Sequence, residues 1–392
     1  MSGASDIDPT TVAAIAVVGA TTVFGLAWLT LLVAPMLIVV QVIASRLGLL
    51  GQTDLQGAAR QRFGWPVQHL LLASIVVVTV LTLAADLEAG ASSIELLTGA
   101  PARWLVAPLG IVIVGLLFVG TYPAIQRALK YGAMALLAYA VSAGLTHVAW
   151  SSVLYHSAVP TFSLTHDYVA GALALLGTTI TSYVYVWQSA QLAEERRPRG
   201  SLRLTETDAT VGIVFAVLIM WFILVATGAT LGVHHHPVQT AQDAARALAP
   251  LAGTAASTVF GFGLLASALV AVPVLMSTAA YVVGAEYGWR RGLSEPVARA
   301  PRFYAVLGLA MAAAVAVTTL DVSPIRLLFD ASIAGGVGAP VGLACLVLVA
   351  GDGRVMRGRP IGPALRAGAW AVTVVISVAG ALYLADELFG LT

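Results

Sequence analysis

The chain is laid out as long apolar runs broken by short polar or glycine-containing connections. Runs of about 20 apolar residues suffice to cross a hydrocarbon layer as a helix. They lie at 9–24, 25–48, 66–96, 104–121, 127–151, 168–195, 209–232, 254–286, 302–320, 325–350 and 364–388. This pattern predicts an all-α polytopic membrane protein with about eleven spans. Gly19 and Gly25 interrupt the first long stretch, which reads as two spans with a tight connection. Residues 53–63 read as a short amphipathic helix on the membrane surface. The alternating strands of a β-barrel are not in the pattern.

Composition narrows the picture. Of 392 residues, 59% are hydrophobic and 10% charged, with a mean hydropathy of +0.91. A soluble domain carries about 25% charged residues. A water-soluble enzyme, a disordered chain and a nucleic-acid binder are therefore excluded, and the lipid bilayer is the first partner. Net charge is only +1, but its distribution is uneven. With the N-terminus inside and alternating spans, 17 of the 20 Lys and Arg residues fall on the inner side. Only Arg103, Arg246 and Arg326 fall outside. Basic loops mark the cytoplasmic face, so the N-terminus is expected inside a cell membrane and the C-terminus outside. Cys345 is the sole cysteine, which excludes an intrachain disulfide or a multi-cysteine metal site. No basic region precedes the first apolar run, so no cleavable signal peptide is predicted.

An ionisable or polar cluster at membrane depth is a functional candidate by default. Ser5-Asp6-Ile7-Asp8-Pro9-Thr10-Thr11 heads the first span. A residue before proline is pushed out of α geometry, and extended backbone exposes carbonyls to a cation. The same residues also read as an N-cap (Asp8) with proline in the first turn. Gly177-Thr178-Thr179-Ile180-Thr181-Ser182 interrupts the middle of the sixth span. It reads either as a small-residue packing face or as a broken helix. Interruptions in matching positions of two halves point to a transporter substrate site. Spans one and six match if residues 1–151 and 168–350 are two inverted five-helix repeats, with 364–388 as an extra span.

Asp86 and Glu88 lie in the third span, two positions apart, so they cannot share one helical face. One reading is a proton or cation relay, the other a buried acid bonded to a neighbouring helix. Asp330 precedes Gly335-Gly336-Val337-Gly338 in the tenth span, where the glycines read as close helix approach. His234-His235-His236 reads as a solvated outer loop. No nucleophile–base pair, phosphate loop or zinc motif is present, so no enzymatic activity and no cofactor are expected. The chain does not encode a readable oligomeric state.

At this point several stretches resemble one family in order along nearly the whole chain. Ser2-Gly3-Ala4-Ser5-Asp6-Ile7-Asp8-Pro9 resembles the first-helix motif of the Nramp-related divalent metal transporters. Leu175-Leu176-Gly177-Thr178-Thr179-Ile180-Thr181-Ser182-Tyr183, with Trp187-Gln188-Ser189-Ala190, resembles their sixth-helix motif and is the most specific part. Ala85-Asp86-Leu87 resembles their third-helix acidic motif, and Gln41–Gly48 the end of their second helix. Ala271–Leu275 and Phe303-Tyr304-Ala305 extend the similarity to the last third.

The resemblance implies a LeuT-type fold, with helices one and six broken around a transported divalent metal ion. It implies alternating access across the membrane. By position, Asp8 matches the family's metal-binding aspartate, and Thr178 falls where a carbonyl points at the ion. Thr11 stands in place of an asparagine ligand, Thr181 of a methionine ligand, and Tyr183 of a histidine linked to proton movement. Asp6, Asp86, Ser182, Tyr183 and Gln188 are expected as relay or supporting residues.

These departures carry chemistry. A thioether favours softer ions, whereas an oxygen-only set suits Mg²⁺, Ca²⁺ or Mn²⁺. The expected cargo is thus a partly hydrated hard dication of the Mn²⁺ or Mg²⁺ kind. Loss of the histidine argues against strict proton coupling. Met1 stands seven residues before Asp8, so the inner half of the first helix is missing from this sequence; the expected reason is a start assigned too late, the alternative a protein that lacks its inner gate. A non-transporting metal-binding membrane protein and a LeuT-type carrier of a small organic substrate are the alternatives.

Overall fold

The computed structural model describes residues 7–119, 137–145, 148–195, 201–320 and 322–390. Helix α1 (Pro9–Thr22) starts where Asp8 caps it and Pro9 fills the first turn. A tight connection with Val23 at φ 56 leads to α2 (Ala27–Arg46), which continues as a π-helical turn over Leu47–Gly51. The surface helix expected at 53–63 is α3 (Leu55–Arg62), capped by Asp54. Helix α4 (Trp65–Thr98) has 34 residues, about 51 Å at 1.5 Å per residue. That exceeds the roughly 30 Å hydrocarbon thickness, so α4 tilts or projects. Helix α5 (Ala102–Val119) returns. Residues 127–136 and 146–147 of the fifth expected span, 127–151, lie outside the described residues, which include α6 (Ala138–Leu145) and α7 (Trp150–Ala158) from this region.

The sixth span is two helices, α8 (His166–Thr179) and α9 (Ser182–Glu195). Helix α10 (Leu202–Thr227) runs on as a π-helical turn, Gly228–Gly232. Two short helices, α11 (Ala241–Arg246) and α12 (Ala249–Ala252), precede α13 (Ala256–Glu286). Helices α14 (Pro301–Thr318), α15 (Pro324–Ala350) and α16 (Pro363–Phe389) complete the chain. Among the described residues, eight helical segments are long and apolar enough to cross a membrane, and α1 and α5 are shorter apolar helices.

Burial sorts the helices into centre and rim. The α8–α9 segment is 94% buried over its most apolar window, whereas α16 is 28% buried over its own. A helix buried all round belongs to the core of the bundle. Helix α1 packs against α8, α10 and α15, and α4 packs against α13 and α15. Helix α1 and the broken sixth span therefore meet at the centre. Small residues permit this. A Cβ on Gly177 would stand 2.1 Å from the Ser332 carbonyl and 2.3 Å from the Gly336 amide, so α8 and α15 touch backbone to backbone.

The glycines of α15 serve close approach, and that helix is continuous through them. Asp330 takes no part in the centre. Its side chain is 55% exposed and faces Arg326 at 3.7 Å. The glycine face of α15 is the one packed inward, and Asp330 stands off it.

Candidate metal site

Asp8 has φ −84 and ψ 168, the extended geometry expected before a proline. Its Oδ1 accepts the Thr11 amide at 2.7 Å, so the N-cap is present. Its Oδ2 accepts the hydroxyl of Tyr183 from α9. An ionised carboxylate offers about four lone-pair sites, so two protein donors leave room for an ion. The capping and ion-binding readings of Asp8 are thus chemically compatible.

The sixth span breaks where glycine, threonine and serine cluster. The Ile180 amide makes the last α-type bond, to the Leu176 carbonyl at 2.9 Å. Ile180 leaves helical geometry at φ −111, ψ 35, and α9 restarts at Ser182. A helix C-terminus carries partial negative charge and presents its last carbonyls outward. Thr178 and Thr179 sit at that end. The hydroxyls of Thr11 and Thr178 lie 2.9 Å apart and join the first turn of α1 to the break in the sixth span.

Asp86 approaches from α4. One oxygen, Oδ1, accepts both the Thr10 hydroxyl at 2.5 Å and the Thr10 amide at 3.0 Å. From α13, the Ser267 hydroxyl donates to the Ile7 carbonyl at 2.5 Å. The first turn of α1 is therefore held on three sides, by α4, α9 and α13.

The side chains here are buried. Asp8 is 1% exposed and Asp86 0%. Thr11, Thr178, Thr181, Ser182 and Tyr183 are buried as well. No Lys, Arg or His is buried among the described residues. Asp86 Oδ2, Thr181 Oγ1 and Ser182 Oγ are buried with no hydrogen-bond partner among the described residues. Buried polar atoms are seldom left so, and each calls for an explanation such as a water or an ion. Among the described residues no three His, Cys, Asp or Glu side chains could hold a metal together. An ion at this place would meet one or two carboxylates, hydroxyls and carbonyls.

Asp8, Thr11, Thr178, Tyr183 and Asp86 are thus linked by direct or one-residue steps. Thr181 and Ser182 sit at the break itself. Thr181 Oγ1 would lie 3.4 Å from a Cβ on Gly335, which places it on the α15 side. Gln188 lies elsewhere. Its amide donates to Ser45 on α2 at 3.0 Å, tying the two helices together six residues below the break. Asp6 lies outside the described residues. Glu88 faces a different environment from Asp86, in an outer cleft with Glu95 and Arg103. Sequence reasoning did not assign Thr10 or Ser267. Thr10 stands in a motif already singled out, and Ser267 is one hydroxyl in a long apolar helix with no local signal.

The profile of the natural resistance-associated macrophage protein-like family, Nramp, matches residues 1–386. The chain belongs to the Nramp family. A relative from Verminephrobacter eiseniae, named as a divalent metal cation transporter (MntH), is 30% identical over 279 residues. That match takes in 67% of this chain and 62% of the relative, a little under two thirds of the relative's length. Solved structures show the same fold. A manganese transporter from Eremococcus coleocola, bound to an aromatic bis-isothiourea compound, superposes with TM-score 0.74 at 16% identity, over 100% of this chain and 87% of that one. MhsT in complex with L-phenylalanine superposes with TM-score 0.59 at 14% identity, over 98% and 96% of the two chains. The Nramp chain thus has the LeuT-type fold its sequence resembles, with a break in the sixth span.

Proposed function

We propose that this chain is a secondary transporter of divalent metal cations, acting by alternating access in the cell membrane with its N-terminus inside. Its function is carriage, not catalysis. One observation carries the reading: Asp8 and Asp86 are both buried around the first turn of α1, with no buried cationic side chain among the described residues. Unpaired buried charge is costly. A dication matches two carboxylates in charge, and the C-terminal end of α8 adds partial negative charge. Small organic substrates of the amino-acid type carry a carboxylate, which Asp8 would repel.

In this reading the ion enters from outside between the two inverted repeats, 1–151 and 168–350. Asp8, Thr11, Thr178 and Thr181 contribute oxygen donors, and hydroxyls and carbonyls replace part of the water shell. Asp86 holds the turn through Thr10 and adds charge. Tyr183 and Ser182 surround the ion at the start of α9. Oxygen-only coordination suits a hard dication of the Mn²⁺ or Mg²⁺ kind.

The test is uptake into proteoliposomes, with Mn²⁺, Mg²⁺ and Cd²⁺ in competition. Saturable uptake of Mn²⁺ or Mg²⁺, with Cd²⁺ a weak competitor, is expected. Binding without flux would point to a non-transporting metal-binding protein instead. Strong preference for Cd²⁺ would overturn the oxygen-only site.

A further inference from the structure

Helix α9 is a 14-residue rod, separated from α8 by the break at Ile180 and Thr181. Tyr183, Trp187, Ala190 and Glu194 recur at spacings of three and four, so they lie along one face. The top of this face touches Asp8 through Tyr183. The bottom, at Ala190 and Glu194, lines a cleft of about 590 Å³ with Asp54, Tyr281, Arg291 and Ser294. Between them the rings of Trp187 and Tyr281 pack edge to face at 6.0 Å.

The Glu194 carboxylate gathers donors from two other elements. Its Oε2 accepts the Tyr281 hydroxyl from α13. Its Oε1 accepts the Ser294 amide at 2.9 Å and the Ser294 hydroxyl, both from the loop after α13. The Leu293 amide donates to the Tyr281 oxygen at 3.1 Å and closes the cluster. Gly292 makes the approach possible. It sits at φ 139, and a Cβ there would stand 2.8 Å from Glu194 Oε1.

Two arginines line the same cleft, yet each is paired elsewhere. Arg291 binds Asp54 at 2.6 Å, and Arg290 binds Glu295 at 3.1 Å. The described bonds to Glu194 come from neutral donors, for which water is a ready substitute on opening. The outer half, α8, lacks this freedom, because Gly177 abuts α15 backbone to backbone.

We propose that Glu194 is a positioning residue for transport. It clamps the cytoplasmic end of α9 to Tyr281 and Ser294, keeps Tyr183 on Asp8, and lets go when the ion leaves inward. This inference rests on the transport reading above.

The test uses the full chain in proteoliposomes. Cys345 is the sole cysteine and is buried, so C345A gives a thiol-free background for an Ala190→Cys reporter. Labelling by a membrane-impermeant maleimide applied from the α9 side reads opening. Glu194→Ala is expected to raise the labelling rate by about tenfold, through a shifted population of the open form. It is also expected to raise KM for Mn²⁺ applied from the opposite side, with a smaller effect on the maximal rate. Ser294→Ala removes one donor and should move both readouts less. Glu194→Gln, which keeps one carbonyl acceptor, should fall between parent and Glu194→Ala. Unchanged labelling in Glu194→Ala and Ser294→Ala overturns the proposal. If Glu194→Ala does not fold, Ser294→Ala alone decides. A parent that takes up no dication, but whose labelling still rises in Glu194→Ala, would overturn transport and leave the clamp standing.

Discussion

Tyr183 donates its hydroxyl proton to Oδ2 of Asp8, across the gap between the second half of the sixth span and the start of the first. Removing it strips a charged, buried acceptor of a partner, which costs about 1.5–3 kcal/mol. Tyr183→Phe should therefore lower the thermal stability of the ion-free protein. A ligand that binds only the folded state adds stability according to its affinity. Saturating Mn²⁺ is accordingly expected to raise the melting temperature more in Tyr183→Phe than in the parent. Equal shifts in the two proteins would separate Tyr183 from the ion.

Asp8 both caps a helix and supplies charge, and the two roles can be separated. Asparagine caps as well as aspartate does, so Asp8→Asn should stay within about 0.5 kcal/mol of the parent in stability. Ion affinity should fall at least about 100-fold, equivalent to about 2.7 kcal/mol. Calorimetry with Mn²⁺ and Mg²⁺ measures this directly. Retained affinity in a folded Asp8→Asn protein would remove Asp8 from the site.

Asp86 presents one oxygen to two donors of Thr10. Thr10→Val keeps the shape and the amide but loses the hydroxyl donor. A loss of about 1.5–3 kcal/mol in unfolding free energy is expected for that charged bond. Asp86→Asn retains an acceptor oxygen and should keep the turn in place while weakening dication binding. If both variants bind Mn²⁺ like the parent, the link from α4 to the first turn of α1 is structural only.

Thr181 sits at the break with a buried hydroxyl that has no hydrogen-bond partner among the described residues. Thr181→Met introduces a soft thioether and is expected to shift competition toward Cd²⁺ by about tenfold, since thioethers favour softer ions. Competition uptake with Mg²⁺ as reference checks this. No change in the Cd²⁺ to Mg²⁺ ratio would place the Thr181 side chain away from the ion.

A histidine is the side chain whose unperturbed pKa, about 6.5, lies near physiological pH. None is buried at the breaks among the described residues. Uptake is expected to respond little to an imposed pH gradient between about pH 6 and 8. Tyr183→His should make it pH-sensitive, as a group beside Asp8 becomes charged on acidification. Fluorescent pH reporting inside the vesicles during uptake distinguishes the two. Strict dependence of the parent on an inward proton gradient would refute this expectation.

Local chemistry made much of the fold readable. The break at Ile180 and Thr181 falls inside the run of glycine, threonine and serine that interrupts an otherwise apolar span. Asp8-Pro9 marks the start of α1 because proline acts on the residue before it. The short capped helix after Asp54 and most span ends were equally local. The contacts that assemble the site were not. Tyr183 meets Asp8 across 175 positions, and Thr10 meets Asp86 across 76. Such pairs depend on helix rotation, which a nearly uniform apolar pattern does not encode. The same indifference left Asp330 a candidate, although its side chain faces outward, and hid Ser267 in a long apolar helix.

The 2.9 Å contact between the Thr11 and Thr178 hydroxyls is a seam between the first turn of α1 and the end of α8. Either hydroxyl can donate to the other, and each keeps lone-pair capacity for a further partner. A dication placed at this seam would exchange one neutral hydrogen bond for two oxygen ligands, so the joint between the two helices would be a lock to which the ion is the key.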